Sequence, residues 1–282
     1  MISRFVTTEK HLLNTICKYA NRNILPILDY AVEHNNGVKA VNHYVDKKMA
    51  LLSVYPCLHH SLKLSSIGFC HDSLIKIMRT AKKHGCTVLI DAEEAEHHKL
   101  VQSLSHSMIA NGYDKQIYTT YQMYRKDGMY ELLTDIVDFR ECNMVHNIKL
   151  VRGAYLYRDG ITGELHLNKK DTDEAYNEAI KILLKASQNK EDKMNVIFAT
   201  HNKQSVQMIK DVSAPNLKYA FLMGMEADIP DMKIKQMVHI PFGPIHKTLP
   251  YLSRRYIENN PMLDKLVSKL PVCPRKMNNT YA

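Results

Sequence analysis

No stretch of this 282-residue chain approaches the ~18 consecutive apolar residues of a membrane-spanning helix. The opening Met-Ile-Ser-Arg-Phe-Val-Thr-Thr-Glu-Lys lacks the apolar core of a signal peptide, and its acidic residue comes early for a transit peptide. The six cysteines (Cys17, Cys57, Cys70, Cys86, Cys142 and Cys273) form no C-x-x-C pair, the pattern of free thiols in a reducing compartment. An intracellular protein is expected. Neither G-x-G-x-x-G nor G-x-x-x-x-G-K-[ST] occurs, so a dinucleotide would have to be held without a Rossmann unit or a P-loop. There is no arginine-rich arm, zinc-finger spacing or RNA-binding aromatic signature, and the net charge of +9 is spread along the chain, so no nucleic-acid partner is expected. The excess charge suits an anionic membrane surface or an acidic partner. No repeat, low-complexity tract or Pro/Gly-rich linker divides the sequence.

What is present is an ordinary globular composition, 45% hydrophobic and 24% charged, in a chain long enough for one large domain. Short apolar or β-branched runs recur between amphipathic helical stretches: 24–30, 61–65, 87–91, 116–122, 147–152, 195–200, 219–223 and 237–242. Eight strands, each followed by a helical segment, predict an α/β fold, a parallel (βα)8 TIM-like barrel. Asp173–Lys185 exemplifies the helices, with Tyr176, Ala179, Ile180 and Leu183 on one side.

The polar residues fall in one place. Strands end in Asp29 with Glu33, Lys63, Asp91, Gln122, Arg152 with Tyr155, Thr200 with His201, and His239. In such a barrel the C-terminal strand ends converge into one face, so this pattern argues for an enzyme. Lys63 and Asp91 lie on consecutive strands and can pair at the mouth, either as a barrel-closing salt bridge or to fix a substrate amine. Lys63 could alternatively be a Schiff-base nucleophile. Gly153 and Ala154 remove side-chain bulk beside Arg152, where backbone can approach a flat ligand. Arg152 itself suits a phosphate or the electron-rich edge of a ring. Thr200, His201 and Asn202 precede a helix and could hold phosphate or ring atoms. The pairs His59-His60 and His97-His98 lack further ligands, so no metal site is expected.

The segment 251–259 reads as a helix entered through Thr248 as N-cap, with Pro250 in its first turn. Tyr251, Arg254, Arg255 and Glu258 share one of its faces. Adjacent guanidinium groups repel unless an anion lies between them, which suits a bound carboxylate or phosphate. The alternative is a solvated face with Arg254 and Glu258 paired.

From about residue 23 to 263 the chain resembles the proline dehydrogenase (proline oxidase) family. The motifs, in the family's order, are Ile-Leu-Asp-Tyr-Ala-Val-Glu (27–33), Leu-Lys-Leu-Ser-Ser (62–66), Ile-Asp-Ala-Glu (90–93) and Thr-Tyr-Gln (120–122). They continue with Lys-Leu-Val-Arg-Gly-Ala-Tyr (149–155), Ala-Thr-His-Asn (199–202), Leu-Met-Gly-Met (222–225), Pro-Phe-Gly-Pro (241–244) and Leu-Pro-Tyr-Leu-Ser-Arg-Arg-Tyr-Ile-Glu-Asn (249–259). The resemblance implies a distorted (βα)8 barrel that binds FAD and oxidises L-proline to Δ1-pyrroline-5-carboxylate. It implies that Arg254 and Arg255 hold the substrate carboxylate, with Lys63, Asp91, Tyr155 and Leu222 lining the proline site. It places Gln122, Val151, Arg152, Gly153, Ala154, Lys169, Thr172, Thr200, His201, Asn202 and Glu258 at FAD.

Three positions depart from the family pattern. His239 stands where a tyrosine is usual, making the distal pocket smaller and more polar, open to a hydroxylated proline. Ala220-Phe221 replaces a Gly-Gln dipeptide, and 157–164 reads as an inserted turn. The expected layout is an N-terminal helical segment (1–22), the barrel (23–263) and a C-terminal amphipathic segment and tail (264–282). Within 262–270, Lys265 and Lys269 lie on one side, a surface for the barrel or for a membrane. The length implies a monofunctional enzyme. The resemblance implies a quinone acceptor and a location in the cytoplasm, on a respiratory membrane or in mitochondria. A hydroxyproline-preferring enzyme and an inactive flavin-binding module remain as alternatives.

Overall fold

The computed structural model describes residues 4–32, 37–155, 159–160, 164–189, 191–225, 229–244, 247–249 and 251–253. Eight strands close into a parallel barrel in sequence order: β1 Leu25–Tyr30, β2 His59–Leu62, β3 Thr87–Ile90, β4 Ile117–Gln122, β5 His146–Val151, β6 Met194–Ala199, β7 Leu217–Leu222 and β8 Lys235–Phe242. The described helices are α1 Glu9–Ala20, α2 Val38–Val54, α3 His71–Lys83, α4 His98–Met108, α5 Gly128–Glu141, α6 Lys169–Ala186 and α7 Lys203–Ile209. The fold is a (βα)8 barrel. Among the described residues no helix separates β7 from β8.

The expected strand bounds are right to within two residues except the end of the second strand, which stops three residues early, and two ends move chemistry off the ladder. β2 stops at Leu62 and β3 at Ile90, so Lys63 and Asp91 lie one residue past their strands. A short 3-10 turn, Leu64–Ile67, follows Lys63. The helix predicted to begin at Thr248 starts earlier: the Thr248 and Lys247 N–H groups already donate to Pro244 O, at 3.1 and 2.9 Å. Residues 247–249 and 251–253 are helical, so Thr248 is inside the helix rather than its cap.

The strands are apolar on both faces because each is covered twice. Outward residues such as Leu28, Val88, Ile148, Phe198 and Tyr219 pack under the helices. On α6, Tyr176, Ala179, Ile180 and Leu183 form the buried stripe, and Asn168 caps the helix by accepting from the Asp171 N–H. Inside the barrel, Ile27, Leu89, Tyr118, Ile197, Ala220 and Met237 form a separate apolar layer. Strand side chains alternate, so the next inward position is two residues further on. Those positions are Asp29, Asp91, Thr120, Ala199, Leu222 and His239, and all six line one cavity above the layer.

Leu28 is fully buried between strand and helices. Leu28→Ala should lower the unfolding free energy by about 2–5 kcal/mol through lost burial and a residual cavity. A fall in urea midpoint at constant slope checks this.

Candidate active site

The cavity, about 480 Å³, opens at the C-terminal ends of the strands. One wall is a ring of buried charge. Lys63 Nζ lies 3.4 Å from both Asp29 Oδ2 and Asp91 Oδ2. Lys149 Nζ donates to Asp91 Oδ1 at 2.6 Å, and Ser61 Oγ donates to Asp91 Oδ2 at 2.5 Å. On the far side His239 Nε2 meets Asp29 Oδ2 at 3.0 Å. The register explains the alternation, since Thr120 is opposite Lys149 and Ile27 opposite His239.

Burial alone would raise the pKa of both aspartates, but neighbouring cations outweigh it. Lys63 and the His239 hydrogen bond hold Asp29 well below the usual carboxylate range. Lys149 and Lys63 do the same for Asp91. Lys48, fully buried on α2 outside the barrel wall, donates to Ser61 O at 2.5 Å. Its pKa is pushed down to about 8 by burial, against the pull of Asp29 and Asp91.

The opposite wall is a hydrogen-bonded cradle. Arg152 Nε donates to Asp173 Oδ1 at 2.7 Å, Nη1 to Thr200 Oγ1 at 2.5 Å and Nη2 to Ser205 Oγ at 2.7 Å. Its guanidinium also lies 4.1 Å from the Tyr176 ring centroid. Asp173 additionally accepts from Lys169. Leu222 N–H donates to His201 Nε2 at 3.1 Å, and Asn202 caps α7 by accepting from Ser205 N–H. Gln122 Nε2 reaches Tyr124 Oη at 3.4 Å, and Tyr124 donates to Asp159, which accepts from Ala95 N–H at 2.9 Å. Gln122 Oε1 is buried without a partner among the described residues.

The cavity brings together Lys63, Asp91, Gln122, Val151, Arg152, Gly153, Ala154, Tyr155, Lys169, Thr200, His201, Asn202, Leu222 and His239. Thr172 does not line it; its hydroxyl instead turns back to Asn168 O at 3.5 Å within the first turn of α6. Arg152 is not a free anion grip, because its guanidinium ties three segments together. Gly153 has φ +138°, and a Cβ there would sit 2.4 Å from the Tyr124 ring, so its lack of bulk admits a tyrosine of the same chain. His60 is structural, with Nε2 3.2 Å from Tyr55 O. Arg254, Arg255 and Glu258, the segment 262–270 and most of the turn 157–164 lie outside the described residues.

Lys149 was missed as a site residue, and Asp29 was seen only as a strand end. The signal for Lys149 is parity: it is two residues before Val151, on the inward face. Tyr251 also reaches the cavity, where it is buried.

The profile of the family described as "Proline dehydrogenase" matches residues 12–267. Among related sequences, proline dehydrogenase 1, mitochondrial, of Dictyostelium discoideum is 29% identical over 207 residues, 65% of this chain and 36% of that protein. Hydroxyproline dehydrogenase of Xenopus laevis is 25% identical over 226 residues, 72% of this chain and 48% of that protein. The chain thus spans less than half the length of these relatives. Among solved structures, proline utilization A from Bdellovibrio bacteriovorus superposes with a TM-score of 0.80 at 18% identity, over 91% of this chain and 32% of that one.

The buried groups set an acid response in two stages. His59, His60 and His146 have pKa values pushed down by burial to about 4, 3 and 4. The unfolded chain therefore binds more protons at these histidines below about pH 6.5, and stability falls from there. Asp29 and Asp91 have depressed pKa values, so their contribution is complete above about pH 4 and drains away below it. Urea midpoints against pH should show both stages. Asp91→Asn should lower the midpoint at neutral pH and shrink the lower stage only.

Proposed function

The chain belongs to the proline dehydrogenase family, and from that premise we propose that it oxidises L-proline to Δ1-pyrroline-5-carboxylate with FAD as hydride acceptor. The observation that carries the reading is Lys63 held between Asp29 and Asp91 on the cavity wall. This rigid, electrically balanced surface can orient a small zwitterion. An ammonium flanked by two carboxylates is a poor nucleophile, which counts against a Schiff-base lyase.

The cavity suits FAD on two observations. Gln122 Oε1 is a buried acceptor without a donor among the described residues. The facing wall carries donors in Arg152, Lys169 and Asn202, with backbone at Val151, Gly153 and Ala154. These groups, with Thr200 and His201, would hold the cofactor; by resemblance Glu258 joins them. Bound FAD supplies the two-electron acceptor. The chain itself fixes the substrate ring between Leu222, Tyr155 and His239, holds its amine near the Lys63–Asp91 pair and excludes water by burial. Arg254 and Arg255 take the carboxylate. A quinone is the onward acceptor in this proposal. No helix among the described residues is long and apolar enough to cross a membrane.

A second reading, preference for hydroxyproline, is favoured by the polar His239 on the cavity wall. Comparing kcat/KM for the two amino acids decides it, and a strong preference for proline rejects it.

The purified protein should be yellow and should bleach on anaerobic addition of proline. Protein that stays colourless after refolding with FAD rejects the proposal, and flavin that neither substrate bleaches indicates an inactive binding module. Arg254→Ala should cost about 3–5 kcal/mol of carboxylate binding, a loss of a hundredfold or more in kcat/KM.

A further inference from the structure

The charge ring is crowded with proton donors and poor in proton acceptors. Lys63, Lys149 and Ser61 only donate within it. Both carboxylates are pinned by cations and hold their protons weakly. Gln122 Oε1 accepts hydrogen bonds but not a proton. His239 differs: Nε2 faces Asp29 Oδ2 at 3.0 Å, while Nδ1 has no hydrogen bond among the described residues. An ionised carboxylate can only accept, so Nε2 carries the hydrogen and Nδ1 of the neutral ring keeps its lone pair. The ring lines the cavity and its side chain is only 12% exposed.

We propose that His239, oriented by Asp29, is the base that accepts the substrate amine's proton through Nδ1. The inference deepens the proline reading and rests on it. Proline enters as a secondary ammonium, which cannot lose hydride from the adjacent carbon until nitrogen regains a lone pair. Nδ1 takes one N–H proton, and that bond's electron pair stays on nitrogen. The nitrogen lone pair can then close a C=N bond as the adjacent carbon gives up hydride with its electron pair, which bound FAD would accept. The new imidazolium is stabilised by Asp29. The other charged groups around the site keep the balance: Lys63 just past β2, Asp91 just past β3, Lys149 on β5 and, behind the wall, Lys48 on α2. The neighbouring strand β7 presents uncharged Ala220 and Leu222, while the phenols of Tyr155 and Tyr251 also border the cavity.

The test follows flavin reduction by proline in the holoenzyme across the histidine titration range, about pH 5 to 8. Wild type should rise through one ionisation to a plateau. His239→Gln should be about a hundredfold slower at neutral pH and rise with hydroxide concentration, without the plateau. His239→Tyr, which restores the residue usual in the family, should behave alike and covers the case in which glutamine disturbs folding. Proline has no ring hydroxyl, so recognition of a hydroxylated substrate cannot produce this result. Nitrogen-15 NMR of histidine-labelled protein, with His239→Gln as the assignment control, should show Nε2 protonated and Nδ1 bare in the neutral ring. The opposite tautomer, or reduction with one pH profile in wild type and both variants, overturns the proposal alone. A wild-type flavin that proline never bleaches at any pH overturns the proline reading and this inference with it.

Discussion

Everything in this site depends on keeping charges ionised inside the mouth of a closed barrel. Two lysines and two aspartates are buried there, and each isolated charge would cost several kcal/mol of desolvation. The cost is bearable because signs alternate around the wall: His239, Asp29, Lys63, Asp91, Lys149. With His239 neutral, the formal charges of the two lysines and two aspartates cancel. No member can therefore be altered in isolation. Neutralising Asp91 leaves two ammonium groups facing each other, and neutralising Lys63 leaves two carboxylates short of a cation. The apolar layer of Ile27, Leu89, Tyr118, Ile197, Ala220 and Met237 closes the site from below. Lower dielectric strengthens the pairs and raises the penalty for breaking them.

The two walls do different work for one physical reason. On the β1–β3 and β5 side, charges meet with few hydrogen-bonded intermediaries, so that wall shapes the potential. On the β5–β6 side Arg152 spends three donors on Asp173, Thr200 and Ser205, tying α6, the β6 end and α7 together. Its positive charge still faces the cavity, but its geometry is fixed before any ligand arrives. In the proposed function, the fixed frame holds the planar cofactor and the charged wall orients the amino acid.

Much of this was legible in the sequence, because barrel strands alternate and end at one pole. Lys63, Asp91, Gln122, Arg152, Thr200 and His239 could be placed together from strand ends alone. Lys149 was not, since it lies within an apolar run and its inward orientation shows only once strand parity is known. Arg152 shows a different limit: its place beside the glycine reads as a contact for a phosphate or a ring edge, while its three acceptors come from separate segments whose meeting no local pattern records. Thr172 is not among the residues lining the cavity: local helix geometry offers its hydroxyl the Asn168 carbonyl. Thr248 looked like a cap because threonine before a proline is a common helix start, yet the chain from Pro244 already supplies the first helical hydrogen bonds. Arg254 and Arg255, the most suggestive pair in the sequence, lie outside the described residues, and their assignment still rests on resemblance.

The histidine at position 239 is best understood through what Asp29 requires. Lys63 reaches that carboxylate only at 3.4 Å and shares itself with Asp91, so Asp29 needs a second, closer donor. His239 supplies it at 3.0 Å. A tyrosine, which the family resemblance places there, can meet the same need with its phenol O–H, so the exchange preserves what holds the ring together. What changes is the far side of the side chain. A phenol that donates to Asp29 offers the cavity only its ring and a weakly basic oxygen, with a pKa near 10 for the group. An imidazole that donates through one nitrogen keeps on the other a lone pair that can accept a proton. One substitution thus leaves the buried electrostatics intact while adding a proton acceptor to a wall otherwise made of donors.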